Sequence, residues 1–278
     1  MEYPLLSLEL AREIELAEAE AAVACARNVK TAKGEGAGAV ATIADGYAVY
    51  CGANSPVTQA VGVGLNGAVS KEEFDRLEEF YFSRKEPVRV ETCPMADGSL
   101  IEHYRERGYY VSEFSNVMAR PVGKSADAAL PAGIEIQKAA EGEIDLWTLT
   151  VAQGFAEHFP VTQEMLSVMR LFANGKNAEC YFARLDGKIA GGATLALRGR
   201  IAGLFGASTL PQFRNRGVQT ALLLARLERA AERGCELAMS LAVPGSASQR
   251  NIMRWGFQTL YTRVKFERAF PGEKNAGA

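Results

Sequence analysis

The chain has 278 residues, of which 48% are hydrophobic and 23% charged, with a formal net charge of −2. That length suits two ordinary domains better than one large one, and the composition is that of a globular protein. The near-neutral balance excludes a broad basic surface for nucleic acid, and no run approaches the ~20 apolar residues of a membrane span, so a small partner is expected. Met1 to Glu20 is acidic where an export signal would be basic, which makes cytoplasmic residence the default. Cys25, Cys51, Cys93, Cys180 and Cys235 are odd in number and form no CxxC or zinc-like spacing with His103 or His158. They read as reduced thiols, and no metal is expected.

In chain order, Ser7 to Lys30 has a helical pattern, and Ala39 to Cys51 and Thr58 to Gly64 read as strands. Ser70 to Arg84 is a helix opened by a Ser70/Glu73 capping box, followed by a strand at Val88 to Cys93. Gly62, Gly64 and Gly67 spell G-x-G-x-x-G, with Glu91 downstream, as a dinucleotide site would. The following helix, however, starts beyond the third glycine, is capped by its own side chains and is acidic in its first turns, which repels a pyrophosphate. Gly34, Gly36 and Gly38 lie between a helix and a strand, the wrong order for that motif, and read as a turn. Pro121 to Gly133, PVGKSADAALPAG, is short of large apolar residues and reads as a linker. Beyond it come a strand at Ile134, helices at Ile144 to Phe155 and Thr162 to Ala173, and strands near Cys180, Ala193 and Ile201.

The last quarter of each half repeats one plan at an offset of about 148 residues: strand, proline, helix, glycine, strand. In the first half it runs VRVETCP, a helix ending at Arg107, Gly108-Tyr109 and a strand closing near Arg120. In the second it runs LAMSLAVP, a helix ending at Trp255, Gly256-Phe257 and a strand closing near Arg268. A duplicated α/β domain accounts for this. The domains are then 1–120, a linker over 121–133, a second domain over 134–270 and a tail over 271–278.

Between the strand at Ile201 to Thr209 and a long helix lies Arg214-Asn215-Arg216-Gly217-Val218-Gln219-Thr220. A helix N-terminus offers unpaired N–H groups and the positive end of its dipole, so a loop entering it can wrap a pyrophosphate. Gly217 allows close approach of the backbone, and two arginines add charge. Val218, Ala221, Leu222 and Ala225 form the face that packs on a sheet.

This segment, STLPQFRNRGVQTALL, resembles the phosphate loop of the GNAT acyltransferase superfamily, whose pattern is Arg or Gln, two residues, Gly, one residue, then Gly or Ala. Arg214, Gly217 and Gln219 occupy those places, and Gln219 departs from the usual small residue. The order of elements from Ile134 to Arg268 and the Gly256-Phe257 ending are also similar to that superfamily. The resemblance implies a mixed-sheet α/β chain of two GNAT-like domains, the first without a cofactor loop. It implies that Ala207, Thr209, Leu210, Arg214, Asn215, Arg216, Gly217, Val218, Gln219, Thr220 and Ser246 hold acetyl-CoA. The strand at Ala207 to Leu210 is expected to splay from the one at Leu237 to Val243, leaving a gap for the pantetheine arm.

Acyl transfer to an amine needs a base and an acid. Many GNAT enzymes use a tyrosine four residues before the glycine of the Gly-Phe ending. Here that position is Ile252, and its first-half counterpart is Tyr104. Ser248 and Asn251 on the same helix, Tyr261 in the final strand, and Glu157 and His158 between the two acceptor-wall helices are the remaining candidates. The expected activity is acetyl transfer from acetyl-CoA to a primary amine of a small molecule or peptide, with a homodimer as an admissible assembly. A longer-chain acyltransferase and an acyl-CoA-binding regulator without turnover are the alternatives, and a nicotinamide dehydrogenase is the third.

Overall fold

The computed structural model describes residues 3–34, 36–53, 55–123, 130–156, 161–175 and 177–271. The chain divides into two compact units, one built from Ala119–Ser240 and the other from Leu5–Met118 together with the segment from Leu241 onward. We call the first the motif unit and the second the companion unit. Among the described residues no helix is long and apolar enough to cross a membrane.

The companion unit opens with α1 (Leu8–Lys33), whose start is capped by Ser7 Oγ accepting from Leu10 N at 3.1 Å. Ala11, Ile14, Ala19, Val23 and Ala26 recur at helical spacing and are buried, so this face packs onto the sheet. The stretch read as one strand is a hairpin of β1 (Ala39–Ile43) and β2 (Gly46–Tyr50), because Ala44 and Asp45 both take positive φ and turn the chain in two residues. β3 (Gln59–Val61) is shorter than its sequence pattern, ending where Gly62 turns to φ 74°.

Next come α2 (Lys71–Phe82), β4 (Val88–Thr92), α3 (Ser99–Arg107) and β5 (Tyr110–Pro121). The end of the chain adds α7 (Ala247–Met253) and β11 (Gln258–Arg268). The strand order in this unit is β1-β2-β3-β4-β11-β5. Thus the last strand of the sequence lies antiparallel beside β4, with Val264 opposite Thr92 and Lys265 opposite Glu91. Phe74, Leu77, Tyr81, Val88, Val90, Leu100 and Tyr104 form the core between this sheet and the pair α2, α3.

The G-x-G-x-x-G run is a turn. Gly62, Gly64 and Gly67 all have positive φ, and α2 begins afterwards with both halves of the Ser70/Glu73 capping box made. Gly64 O accepts from Asp97 N at 2.8 Å and Leu65 O accepts from Arg12 Nε at 2.9 Å. The loop after β3 is therefore tied to the loop after β4 and to α1.

The motif unit contains β6 (Ile134–Lys138), α4 (Ile144–Phe155), α5 (Gln163–Ala173), β7 (Ala178–Leu185), β8 (Lys188–Arg198), β9 (Ile201–Thr209), α6 (Val218–Glu232) and β10 (Leu237–Ala242). Its strand order is β10-β9-β8-β7-β6, antiparallel except for the parallel β9–β10 pair. Trp147, Val151, Met169 and Phe182 are buried between α4, α5 and the sheet, and Trp147 Nε1 donates to Tyr181 O at 3.1 Å. Of the expected packing face of α6, Val218, Ala221 and Leu222 are buried and Ala225 is half-buried, and Leu223, Leu224, Leu227 and Ala230 are buried as well.

Candidate functional site

The site grows out of β9. Opposite β8, the register jumps between Gly192 and Thr194, so that Gly206 and Ala207 face the single residue Ala193. Gly206 adopts φ 56°, a left-handed conformation that glycine accepts without strain, and the extra residue makes a β-bulge. α4 lies close over this point. Ser208 Oγ donates to Val151 O at 2.9 Å, and a Cβ on Gly154 would stand 2.3 Å from that hydroxyl. Only a residue without a side chain fits there.

On the other edge, β9 pairs with β10 at Ile201↔Leu237, Ala202↔Ala238 and Gly203↔Met239, and the ladder then stops. Ser240 Oγ donates to Leu204 O at 3.0 Å, and the residues from Gly206 to Thr209 run on without a strand partner from β10. The expected splay is thus present within the motif unit.

After β9 the chain makes one short turn at Pro211–Phe213 and enters α6 through Asn215 at φ 61° and Gly217 at φ 83°. Among the described residues no side chain caps α6, and its first turn carries no acid. Its first helical bond runs from Ala221 N to Gly217 O at 3.0 Å, so the N–H groups of Val218, Gln219 and Thr220 come before it and point out of the helix end. Arg214, Asn215 and Arg216 are exposed beside them. Arg216 pairs with Asp186 at 3.2 Å, an exposed contact of small worth. Arg214 reaches Gly154 O at 3.0 Å and Thr209 O at 3.5 Å, joining the loop to α4 and to the end of β9. A nest of N–H groups, two guanidinium groups and no carboxylate in the first turn can hold a pyrophosphate.

Arg226, in the third turn of α6, is a further participant. It is 3% exposed and donates to Leu222 O at 2.9 Å, Thr194 O at 2.9 Å and Phe205 O at 3.3 Å. Thr194 and Phe205 are the pair at which the bulge begins, so this guanidinium braces the bend from behind. Burial pulls its pKa down to about 10. The signal was in the spacing, since Arg226 stands four residues after Leu222 on the apolar stripe of α6.

The other predicted residues are distributed as follows. Ala207, Thr209 and Leu210 lie on or just beyond the unpaired end of β9, where Leu210 N donates back to Ala190 O at 2.9 Å. Val218 is buried and offers only its backbone, whereas Gln219 and Thr220 are half-buried. Ser246, Ser248, Asn251 and Tyr261 all belong to the companion unit. Ser246 caps α7 by accepting from Gln249 N at 3.1 Å, Ser248 is exposed, and Asn251 accepts from Arg254 at 3.1 Å. Tyr261 is buried and donates to Glu15 at 2.7 Å, and burial followed by the Glu15 charge drives its pKa up. Glu157 and His158 lie outside the described residues. Ile252 is buried at the end of α7, and its carbonyl accepts from Phe257 N at 3.3 Å.

Known proteins match this arrangement. The family model described as acetyltransferase (GNAT) family matches residues 145–257. Among solved structures, a GCN5-related N-acetyltransferase from Kribbella flavida is similar with a TM-score of 0.64 at 15% identity, over 91% of this chain and 96% of that one. A tandem GNAT protein from the clavulanic acid biosynthesis pathway is similar with a TM-score of 0.62 at 13% identity, over 98% of this chain and 99% of that one. A GCN5-related N-acetyltransferase from Sphaerobacter thermophilus is similar with a TM-score of 0.58 at 16% identity, over 98% and 97%. No curated protein matches the chain in sequence. Residues 145–257 thus match the acetyltransferase (GNAT) family, within a chain whose fold is that of two GNAT-like domains.

Proposed function

We propose that the chain transfers an acetyl group from acetyl-CoA to a primary amine of a small molecule or peptide. The family brings acyl-CoA-dependent acetyl transfer in general. The observation that carries the reading to this chain's own residues is the uncapped, acid-free start of α6 beside the unpaired end of β9. The N–H groups of Val218, Gln219 and Thr220, with Arg214 and Arg216, would hold the pyrophosphate. The backbone from Ala207 to Thr209 would hold the pantetheine arm in the manner of an added strand. When bound, acetyl-CoA supplies the activated acyl thioester. A backbone N–H near the bulge would stabilise negative charge on its carbonyl oxygen as the amine adds.

The test is calorimetric titration of coenzyme A into the wild type and Arg216→Glu. Arg216 is exposed, so reversing its charge leaves the fold intact, whereas a Cβ on Gly217 would stand 2.9 Å from Pro131 and strain the loop itself. At least tenfold weaker binding by the variant is expected, and equal affinity would remove the phosphate-loop assignment.

A second reading, an acyl-CoA-binding regulator without turnover, is favoured by one observation. The turn that would present a tyrosine acid holds Ile252, and the phenol of Tyr261 on β11 has its proton engaged by Glu15. Thiol release assayed over a panel of primary amines separates the two. Tight coenzyme A binding with no release on any amine supports the regulator.

A further inference from the structure

The direction of each carbonyl along the end of β9 can be read from its bonds. Leu210 N donates to Ala190 O of β8, so Thr209 O, on the other side of the same peptide plane, points away from β8. Ser208 O points toward β8, where a Cβ on Gly191 would stand 2.4 Å from it. By the alternation of a strand, Ala207 O also points away from β8, to the side on which the β10 ladder has already ended. Before the bulge the even-numbered Leu204 O faces that side and accepts from Ser240. The extra residue at Gly206 thus changes the parity and turns Ala207 O and Thr209 O to the open edge.

That edge is engaged from within the chain. Gln219 Nε2 donates to Ala207 O at 3.2 Å, and Arg214 Nε reaches Thr209 O at 3.5 Å. The first of these contacts comes from the residue that departs from the small amino acid expected in the loop pattern. Glycine or alanine there has no side chain able to reach back to the strand. A glutamine side chain ends in the same group, an amide N–H, that a pantetheine arm offers to a strand edge.

We propose that Gln219 is an affinity-setting residue whose side-chain amide stands in for a cofactor amide on Ala207 O and must be displaced before a pantetheine arm can pair there. This rests on the proposed acetyl-CoA site. Binding of the pantetheine portion is opposed by the loss of one hydrogen bond, whereas binding of the nucleotide end is not, since the phosphate-facing N–H groups of α6 take no part in the Gln219 contact.

The experiment is calorimetric titration of the full chain, as wild type, Gln219→Met and Gln219→Ala, with two ligands. One is coenzyme A. The other is adenosine 3′-phosphate 5′-diphosphate, which keeps the pyrophosphate and lacks pantetheine. Methionine preserves length and removes the donor, and alanine removes the side chain, so two variants with intact melting transitions report on the same bond. Both are expected to bind coenzyme A about two- to tenfold more tightly, the size of one net hydrogen bond, with affinity for the nucleotide unchanged. Unchanged or weaker coenzyme A binding by the variants overturns the proposal, as does an equal shift for both ligands, which would place the effect in the phosphate loop. Absence of coenzyme A binding by the wild type and both variants removes the acetyl-CoA site itself, an outcome distinct from the other two.

Discussion

Arg263 is the side chain whose loss the companion unit should tolerate least. It is fully buried on β11, donates through Nε to Glu15 Oε1 at 2.8 Å and pairs through a terminal nitrogen with Glu18. Glu15 is itself fully buried, and its Oε1 also accepts from Tyr261. Two α1 carboxylates therefore share one guanidinium. Burial already pushes the Glu18 pKa up, against the pull of Arg263. Arg263→Met keeps most of the stem volume and removes the charge, so Glu15 and Glu18 lose the guanidinium they share. Removing one partner of a buried pair costs about 3–5 kcal/mol, because the remaining charge stays desolvated. Glu18, whose pKa burial already raises, can escape this by taking up a proton, which raises its folded-state pKa further above the unfolded one. That cost therefore grows as pH rises through the unfolded carboxylate range, and the variant's deficit should be larger at pH 8 than at pH 5. Glu15→Gln is the control. Its amide oxygen still accepts from Tyr261 and Arg263, and Arg263 retains Glu18, so a cost of about 1 kcal/mol is expected. Hydrogen exchange of peptides from α1 and β11 reads the opening free energy of this unit alone, which avoids the two-state assumption for a chain of two units. A deficit for Arg263→Met no larger than that of Glu15→Gln, or one equal at both pH values, would refute the reasoning.

Two other outcomes follow from named contacts. Glu179 is held at a pKa of about 2, chiefly by hydrogen bonds from Arg229 and further by Tyr181 and Lys138. A depressed acid stabilises the fold above its unfolded pKa of about 4.5 and loses that contribution as pH falls toward 2, so melts of the wild type between pH 5 and pH 2.5 should lose on the order of 2–3 kcal/mol that Glu179→Gln does not lose. Tyr261→Phe removes one hydrogen bond to Glu15 and should cost about 1 kcal/mol of companion-unit stability with no change in the rate of thiol release. A rate loss above tenfold at unchanged stability would instead make Tyr261 an acid in the reaction.

Local chemistry made much of this legible in the sequence. The capping box at Ser70, the Asn215 to Gly217 entry to α6 and the strand-helix-glycine-strand plan of both halves are short-range features, set by which residues tolerate positive φ or satisfy a helix end. Gly108 and Gly256 both adopt left-handed φ, of 72° and 82°, and the bonds Tyr109 N to Tyr104 O and Phe257 N to Ile252 O repeat across them. Long-range pairing was not legible. Arg263, Lys265 and Glu267 alternate along β11 as a solvent-facing row would. Yet Arg263 is buried against α1, Lys265 stands opposite Glu91 at 3.1 Å and Glu267 opposite Arg89 at 3.1 Å. Nothing within β11 announces that β4 carries the complementary charges about 175 residues earlier, in the opposite register. The bulge on β9 was hidden for a similar reason, since a register jump is a property of two strands together.

The two halves of the chain repeat a plan and differ where that plan would meet a ligand. In the companion unit, the helix that follows the third strand starts with Ser70 accepting from Glu73 N and with Glu72 and Glu73 in its first turn. Ser70 N and Glu73 N are engaged by the capping box, and two carboxylates stand at the positive end of its dipole. The strand edge before it is closed as well, because Asp97 N occupies Gly64 O and Leu100 Cδ1 stands 2.8 Å from where a Cβ on Gly64 would be. In the motif unit, the corresponding helix starts at an uncapped glycine without an acid, and the edge beside it ends its pairing at Gly203. An anion therefore gains N–H groups, a dipole and two arginines at α6, and at α2 it meets two carboxylates and a filled cap. A backbone bond closes the strand edge in the companion unit, whereas among the described residues the motif unit's carbonyls of Ala207 and Thr209 are held by the side chains of Gln219 and Arg214. Side-chain contacts of that kind exchange for a ligand at the cost of about one net hydrogen bond each, and a closed backbone turn does not.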